Sequence, residues 1–446
     1  MGHRVAKNAT WIIACKLAQS VVALIILMIS ARYLGPSNYG LLNYAASVVT
    51  FLLPVMRLGL SEILVQEFIR RPDREGEVLG TAIVMSMMSA AGCMGIVFTF
   101  LSVANAGEGT TILVGVLYSF SLLFQATELV QYWFQSKLLS KFPSIAAFIA
   151  YVLVAIYKVI ILMAGKDVIW FSISNTLDYL VVSLILLIIY HKMGNQKLKV
   201  SLSLAKEMFS RSKHYIIAGL MVNIFAQTDR IMLSLMINDT VTGYYSAAFE
   251  ATTTTMFVFA AIIDSFRPTI LEAKNENSPE YESRLIRLYS IITYLSIAQS
   301  IAMTLLAYPI VMILYGKSYL PSVNVLQIEA WYVIFSYYGG VRNIWILSEN
   351  KQKYLWIINL AGAVANIGLN ALLIPFMGAM GAALASLLTQ FFTNVILGFI
   401  IRPIRHNNYL MYKGLNPKPL WLYAKSLLSS LKNRRKNKKK KEVSES

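Results

Sequence analysis

Charged side chains are scarce in this chain of 446 residues. Only 14% of the residues are Asp, Glu, Lys or Arg, whereas 57% are hydrophobic. A soluble globular domain carries about 25% charged residues, which it needs to cover its surface. The scarcity excludes a conventional soluble protein and indicates that lipid replaces water as the solvent around most of the chain.

Cysteine and histidine are also rare. Cys15 and Cys93 both lie in apolar runs, so they are interpreted as small packed residues and not as a disulfide framework. The four histidines lie at or beyond the ends of apolar runs, without the spacing of metal ligands. No metal and no cofactor is expected. The chain also lacks an Asp-x-Asp motif, a phosphate loop and a Ser/His/Asp constellation, which argues against an enzyme.

Long apolar runs are what the sequence has in abundance. A membrane-spanning helix needs about 20 such residues, and a transmembrane strand would instead show about ten alternating ones. The sequence therefore predicts an all-α polytopic membrane protein with about twelve transmembrane helices, at roughly 10–31, 40–62, 78–104, 111–135, 143–164, 168–190, 214–237, 241–265, 286–312, 323–347, 354–376 and 379–401.

Lysine and arginine are concentrated in every second loop. About 32 of the 40 basic residues fall in the N-terminal segment, every second loop and the C-terminal segment, and only Arg32, Lys166 and Lys317 fall in the other loops. Cytoplasmic loops carry this excess, so both termini are predicted to be cytoplasmic. The net charge of +18 is thus explained by topology, and no motif supports a nucleic-acid partner.

The longest internal loop, 191–213, divides the chain into an N-terminal six-helix lobe at 1–190 and a C-terminal six-helix lobe at 214–401. The halves contain a weak repeat, because the segment from Pro36 to Ala45 aligns with the segment from Asp239 to Ala248, with Gly40 matching Gly243. Repeated halves are common in transporters, with the substrate site between them.

The segment 402–446 is a basic cytoplasmic tail. Leu420 to Leu431 is amphipathic, and Lys432 to Lys441 is almost wholly basic. A solvated disordered tail and an interfacial helix followed by a polybasic segment on anionic lipid are both compatible with this composition. We favour the second interpretation.

Polar residues within the spans fall on helical faces. A charge in a span costs about 2.5–3.5 kcal/mol and needs a partner, a wet cavity or a role. A shared aqueous cavity would satisfy these faces, whereas helix-to-helix hydrogen bonds are the alternative. The faces are Lys16 with Gln19 or Ser20 on the first helix; Asn43, Ser47, Thr50, Pro54 and Arg57 on the second; Asn223, Gln227 and Arg230 on the seventh; and Ser246, Glu250 and Thr253 on the eighth.

Other charges within the spans leave two interpretations open. Lys158, Glu128, Glu329 and Arg342 are compatible with structural ion pairing as well as with transport. The carboxylates of Glu250, Asp178 and Asp229 are candidates for reversible protonation or sodium binding, which would couple transport to H⁺ or Na⁺.

Several short motifs recur in order along the twelve helices. The chain resembles polysaccharide transporters of the multidrug/oligosaccharidyl-lipid/polysaccharide (MOP) flippase superfamily, of the O-antigen flippase (Wzx) type; the resemblance leaves out the basic tail. The motifs are Ala31-Arg-Tyr-Leu-Gly-Pro36 with Tyr39-Gly40, Gly59-Leu60, Asp229-Arg230, Gly243-Tyr-Tyr-Ser-Ala-Ala248, Tyr315-Gly-Lys-Ser-Tyr319 and Asn366-x3-Asn370-x4-Pro375-x2-Gly378-x2-Gly381-Ala-Ala383.

The resemblance implies two lobes related by a pseudo-two-fold axis, alternating access, and location in the bacterial cytoplasmic membrane. The implied substrate is an undecaprenyl-pyrophosphate-linked oligosaccharide, the repeat unit of O-antigen, capsule or exopolysaccharide, and a polysaccharide polymerase machinery is an implied partner. Lys16, Arg57 and Arg230 would hold the pyrophosphate, because guanidinium donors match phosphate oxygens. Asn43, Ser47, Thr50, Asn223, Gln227 and Thr253 would face the sugar.

Two alternative functions are a cation antiporter and a membrane-bound polymerase or ligase. A drug or metabolite cation antiporter of the same superfamily should have acidic cavity residues, and the mixed charges here are compatible with it. A membrane polysaccharide polymerase or ligase is less favoured, because such enzymes resemble proteins with a large external loop and the external loops here are short.

Overall fold

The computed structural model describes residues 2–194 and 196–417, with side chains from residue 22 onward, and within these ranges it contains helices and no strand. The helices are α1 Gly2–Phe51, α2 Leu53–Met56, α3 Leu64–Arg70, α4 Glu75–Ala104, α5 Gly109–Ser119, α6 Ser121–Thr127, α7 Gln131–Ser136, α8 Lys141–Met163, α9 Val168–Met193, α10 Leu202–Met236, α11 Asp239–Thr253, α12 Met256–Asn275, α13 Tyr281–Leu305, α14 Ala307–Leu314, α15 Ser322–Ser348, α16 Leu355–Met377, α17 Ala379–Phe391, α18 Leu397–Ile400 and α19 Arg405–Gly414.

The described residues contain nine helices that are long and apolar enough to cross a membrane, and α11 with α12, bent by 40°, makes a tenth. The predicted all-α membrane fold is confirmed. The count is consistent with twelve helices, because the first two predicted runs are joined as one span, Val22–Met56, and α15 is not among the ten.

The first long helix is broken where the sequence predicts a turn. Gly35 has φ 70° and ψ 172° within α1, and Pro36 follows it. Glycine tolerates the positive φ, and proline suits the first turn of a helix because it lacks an N–H to pair. The chain thus leaves the first predicted span and enters the second at these two residues.

The seventh predicted span begins earlier than its apolar run. α10 starts at Leu202, not near residue 214, because Ser201 caps it: the Ser201 Oγ accepts a hydrogen bond from the Leu204 N–H at 3.4 Å. Amphipathic turns precede the apolar part, and hydropathy alone does not reveal them. Of the predicted linker, the described residues outside helices are therefore only 194 and 196–201.

The chain forms two compact units. Unit 1 contains Met1–Ala247, Val311–Ser322 and Asn370–Ala382, and unit 2 contains the remainder. Unit 1 has two apolar cores, around Leu64 and Trp133 and around Tyr44 and Met56. The predicted division into lobes at 1–190 and 214–401 stays a prediction.

In unit 2, the predicted tail begins as a docked helix. The Tyr289 hydroxyl of α13 donates to Asn407 Oδ1 of α19 at 2.8 Å. A Cβ on Gly414 would lie 2.5 Å from Tyr289 Cβ, so the two helices pack closely. Residues 405–414 therefore belong to the helical bundle, whereas the predicted interfacial helix and the polybasic run lie outside the described residues.

Candidate functional site

The two repeated motifs contact each other within unit 1. A Cβ on Gly40 would lie 1.7 Å from the Asp239 carbonyl oxygen, and a Cβ on Gly243 would lie 2.0 Å from the Pro36 carbonyl oxygen. In the repeat alignment Pro36 matches Asp239 and Gly40 matches Gly243, so the contact is reciprocal. Reciprocal contact is what a two-fold axis produces. We call the segments 36–40 and 239–243 the glycine seam.

Aromatic and capping contacts surround the glycine seam. The rings of Tyr39 and Tyr319 are 6.1 Å apart, and the Tyr319 hydroxyl donates to the Ala31 carbonyl at 2.8 Å. Arg32 Nη2 donates to the Ile313 carbonyl at 2.6 Å, at the end of α14. The motif ending in Tyr319 thus helps to hold the helix ends of the predicted external side together.

Asp229 is held in a hydrogen-bond network in unit 1. It is 4% exposed; its Oδ2 accepts from the Tyr245 hydroxyl and its Oδ1 accepts from Asn370 Nδ2, both at 2.6 Å. The network joins the consecutive helices α10 and α11 to α16, which is distant in sequence. Carboxylate and amide oxygens are the ligands that hard cations prefer, so this arrangement suits the predicted ion-coupling role.

Arg230 and its neighbours on α10 face other helices of unit 1. Arg230 Nε donates to Ser246 Oγ of α11 at 3.3 Å. Asn223 Nδ2 donates to the Thr50 carbonyl at 2.7 Å, which joins α10 to α1. Gln227, between them on the same face, is partly buried. Part of this polar stripe therefore makes helix-to-helix hydrogen bonds.

Arg57 follows α2 and is only loosely paired. Its Nη2 lies 3.5 Å from Gln125 Oε1 and 4.0 Å from Glu128 Oε2. Its buried Nε has no hydrogen-bond partner among the described residues. A guanidinium in a span with spare donors is suited to bind an anion.

A cavity of about 260 Å³ lies in unit 1. It brings the predicted residues Asn43 and Asp178 together, and Lys158 is the charged neighbour of Asp178. Asp178 Oδ1 is buried without a hydrogen-bond partner among the described residues. The lining residues are Leu42, Asn43, Ala46, Tyr118, Tyr151, Val154, Lys158, Phe171, Ser174, Asn175 and Asp178.

Sequence reasoning missed Tyr118, Tyr151 and Asn175 as lining residues of this cavity. Helical spacing could have found two of them, because Asn175 precedes Asp178 by three residues and Tyr151 precedes Lys158 by seven. Both spacings place side chains on one face of a helix. Tyrosines within an apolar run resemble its other hydrophobic residues, so their polar hydroxyl groups do not stand out in the hydropathy pattern.

The remaining predicted residues lie elsewhere. Ser47 is buried, and its Oγ has no hydrogen-bond partner in the described part of the chain. In unit 2, Thr253 Oγ1 donates to the backbone carbonyl of Glu250 at 3.2 Å, and the Glu250 residue is partly buried. Lys16 lies outside the side chains that the structure describes.

The structure also places the four charges whose roles were left open. Lys158 lines the cavity, and Glu128 lies beside Arg57. In unit 2, Arg342 is buried and its Nη1 donates to the Thr393 carbonyl at 2.8 Å, in the π-helical turn Phe392–Ile396. Glu329 is fully buried in α15. Arg342 thus stabilises a local irregularity of the helix.

A family model described as "Polysaccharide biosynthesis protein" matches residues 5–274, more than half of the chain. The chain belongs to this family. The matched region includes the glycine seam, Arg57, Asp229, Arg230 and the cavity. No match was found among curated proteins.

Solved structures share the fold. A lipid II flippase, MurJ, in an inward closed conformation has a TM-score of 0.73 at 15% identity, covering 93% of this chain and 92% of that one. An inward-facing multidrug resistance MATE family transporter of the MOP superfamily gives 0.65 at 13% identity, covering 88% and 95%. The eukaryotic MATE transporter AtDTX14 gives 0.62 at 14% identity, covering 92% and 98%. The chain is a multi-pass membrane protein with this fold, and the predicted superfamily is confirmed.

Proposed function

We propose that the protein is a flippase that moves an undecaprenyl-pyrophosphate-linked oligosaccharide across the bacterial cytoplasmic membrane. Its family and its fold support this function, because one structure of the same fold is a lipid II flippase. The observation that carries the proposal is Arg57, a guanidinium in a span whose pairing is loose and whose Nε has no partner among the described residues. A pyrophosphate can use those donors.

Transport would proceed by alternating access. Arg57 and Arg230, with Lys16, would hold the pyrophosphate, while polar side chains such as Asn43 and Gln227 face the sugar and the polyprenyl tail stays in lipid. The protein would lower the cost of carrying an anionic headgroup across about 30 Å of hydrocarbon. Opening of the glycine seam would release the headgroup on the external side. No covalent chemistry is required of the protein.

The function is tested in a strain that lacks the gene. We expect lipid-linked oligosaccharide to accumulate on the cytoplasmic leaflet, because its synthesis continues while its transfer stops. Surface polysaccharide is measured together with the leaflet distribution of the lipid-linked sugar. The expected result includes unchanged drug susceptibility. Normal surface polysaccharide with increased drug susceptibility would identify the protein as an antiporter instead.

We further propose that transport is coupled to a cation, H⁺ or Na⁺, bound at Asp229. The Asp229→Asn variant removes the charge from the network of Tyr245 and Asn370 with little change in volume. We expect export to fall by about tenfold, the scale of a lost charge-assisted contact, and its dependence on cation concentration to disappear. Export by reconstituted protein across a cation gradient measures both.

The Tyr245→Phe variant is the control for Asp229. It removes one hydrogen bond but leaves the carboxylate in place, so a smaller loss of export with intact cation dependence is expected. A purely structural role for Asp229 would be shown if both variants lost export equally and neither changed the cation dependence.

The cavity lined by Asn43 and Asp178 is proposed to accept part of the sugar. Ala46→Phe would place a ring in this cavity of about 260 Å³ and reduce the space for a sugar. Filling a cavity usually preserves or raises stability, so export should fall while the melting temperature does not. Ala46→Ser, which leaves the space open, should export normally. Undiminished export by Ala46→Phe would exclude the cavity from the transport path.

A further inference from the structure

The connection between α9 and α10 is bound tightly to α4. We call residues 196–201 the strap. A Cβ on Gly76 would lie 2.3 Å from the Lys197 carbonyl oxygen, and a Cβ on Gly80 would lie 2.4 Å from the Lys199 carbonyl oxygen. The strap backbone therefore lies directly on the face of α4 that carries these two glycines. The Lys199 N–H donates to the Gly76 carbonyl at 3.1 Å.

Side chains reinforce this attachment. The Gly76 N–H donates to Gln196 Oε1 at 3.0 Å, and Gln196 Nε2 donates to the Pro72 carbonyl at 3.0 Å. The Ser201 N–H donates to Thr81 Oγ1 at 3.1 Å. The strap is therefore an ordered segment with a fixed outer face, and it leads directly into α10.

The first turns of α10 extend beyond the hydrocarbon layer. α10 has 35 residues, which at about 1.5 Å per residue is about 52 Å, whereas the hydrocarbon is about 30 Å thick. Its apolar run begins near residue 214, so the turns before it lie at the headgroup level on the predicted cytoplasmic side.

The exposed face of this region combines apolar and basic side chains. Leu198, Val200, Leu202 and Phe209 are 47%, 61%, 87% and 41% exposed. Lys197, Lys199, Lys206 and Lys213 are exposed as well. On α10 the residues Leu202, Lys206, Phe209 and Lys213 recur at i, i+4, i+7 and i+11, which is one face of a helix.

The nearby carboxylates have arginine partners of their own. Glu207 pairs with Arg71, and Glu77 accepts from Arg74 at 2.7 Å. Glu77 also faces Lys199, but its closest ionic contact is the arginine. The lysines of this face therefore present their positive charge outward.

We infer that the strap and the first turns of α10 form a binding surface for anionic lipid headgroups of the cytoplasmic leaflet. Segments that lie in the membrane interface combine large apolar side chains with lysine or arginine. The lysine stems can cover apolar surface while their ammonium groups reach phosphate. Attachment to α4 keeps the surface in place without a cost for ordering it on binding.

The binding of phosphatidylglycerol tests this surface. Purified full-length protein is titrated with the lipid, and retained molecules are counted by native mass spectrometry. Each neutralised lysine near a membrane surface should weaken binding by about fivefold, so Lys199→Gln with Lys206→Gln should weaken it by about twenty-five-fold. Lys351→Gln with Lys353→Gln removes the same charge from another predicted cytoplasmic loop and should have much less effect.

A second measurement locates the lipid. Cys15 and Cys93 are replaced by alanine, and a fluorophore is attached at Val200→Cys or, as the control, at Glu276→Cys in the loop after α12. Brominated phosphatidylglycerol should quench the label at position 200 and not that at 276. Equal weakening by both lysine pairs, or absence of quenching at position 200, would overturn the inference.

Discussion

Replacing Gly40 by alanine is expected to abolish export of the surface polysaccharide. The added Cβ would lie 1.7 Å from the Asp239 carbonyl oxygen, a contact that no real structure tolerates, so the two helix ends must move apart. Overpacking of this kind costs about 1–3 kcal/mol, and here it acts where the repeated motifs meet. Gly243→Ala should have the same effect, because its Cβ would lie 2.0 Å from the Pro36 carbonyl oxygen. Polysaccharide at the cell surface and the melting temperature of the purified protein are the measurements.

Two other glycines provide the matched control. A Cβ on Gly92 or on Gly95 in α4 would meet no atom within 4 Å. Gly92→Ala and Gly95→Ala should therefore keep export and should not lower the melting temperature, since alanine favours a helix. Full export by Gly40→Ala at an unchanged melting temperature would show that the glycine seam does not need to close.

Arg230→Ala is expected to abolish export while the protein stays at its normal level in the membrane. The substitution removes the positive charge that we propose for the pyrophosphate, and it also removes the bond of 3.3 Å to Ser246. A hydrogen bond that involves a charged group contributes about 1.5–3 kcal/mol, which is less than the stability of a typical folded protein, so folding should survive. Export and the amount of protein in the membrane fraction are measured together.

Two variants make the Arg230 result interpretable. Arg74→Ala removes an arginine whose ion pair with Glu77 is on the surface, and such pairs are worth little, so it should export normally. Arg230→Lys keeps the charge but loses the planar donors, and it should retain part of the activity. Normal export by Arg230→Ala would remove this residue from the mechanism.

The glycine seam and the charged residues of the spans are predicted to lie at different depths in the membrane and to have different roles. Gly40, Gly243 and Tyr39 lie where the two repeated motifs contact each other on the predicted external side. Charged and amide side chains lie deeper in the spans, where Asp229 and Arg57 have different surroundings: the carboxylate accepts two short hydrogen bonds, and the guanidinium is loosely paired. This difference agrees with the proposal that a cation binds at one place and an anionic headgroup at another.

The sequence by itself was enough to predict most of the helices, because they depend on the chemistry of neighbouring residues. An apolar run long enough to cross a bilayer has no alternative to the helix, because its backbone groups must pair within the segment. The break at Gly35 and Pro36 follows from backbone geometry, and the match of Gly40 with Gly243 is visible in the order of residues. These features depend on neighbours within a few residues, so composition and spacing were sufficient to predict them.

Only the tertiary structure decided which polar groups meet. Asn370 lies 141 residues from Asp229, yet their side chains are joined by a hydrogen bond, and Asn223 reaches the Thr50 carbonyl 173 residues away. The meeting of Tyr118 with Tyr151 at the cavity and the attachment of the strap to Gly76 and Gly80 likewise join segments that no spacing along one helix connects. Helical spacing predicts which side chains share a face. It does not predict the partner of that face, because the partner comes from a segment distant in the chain. Close approach at glycine and the pairing of buried polar groups select one packing arrangement.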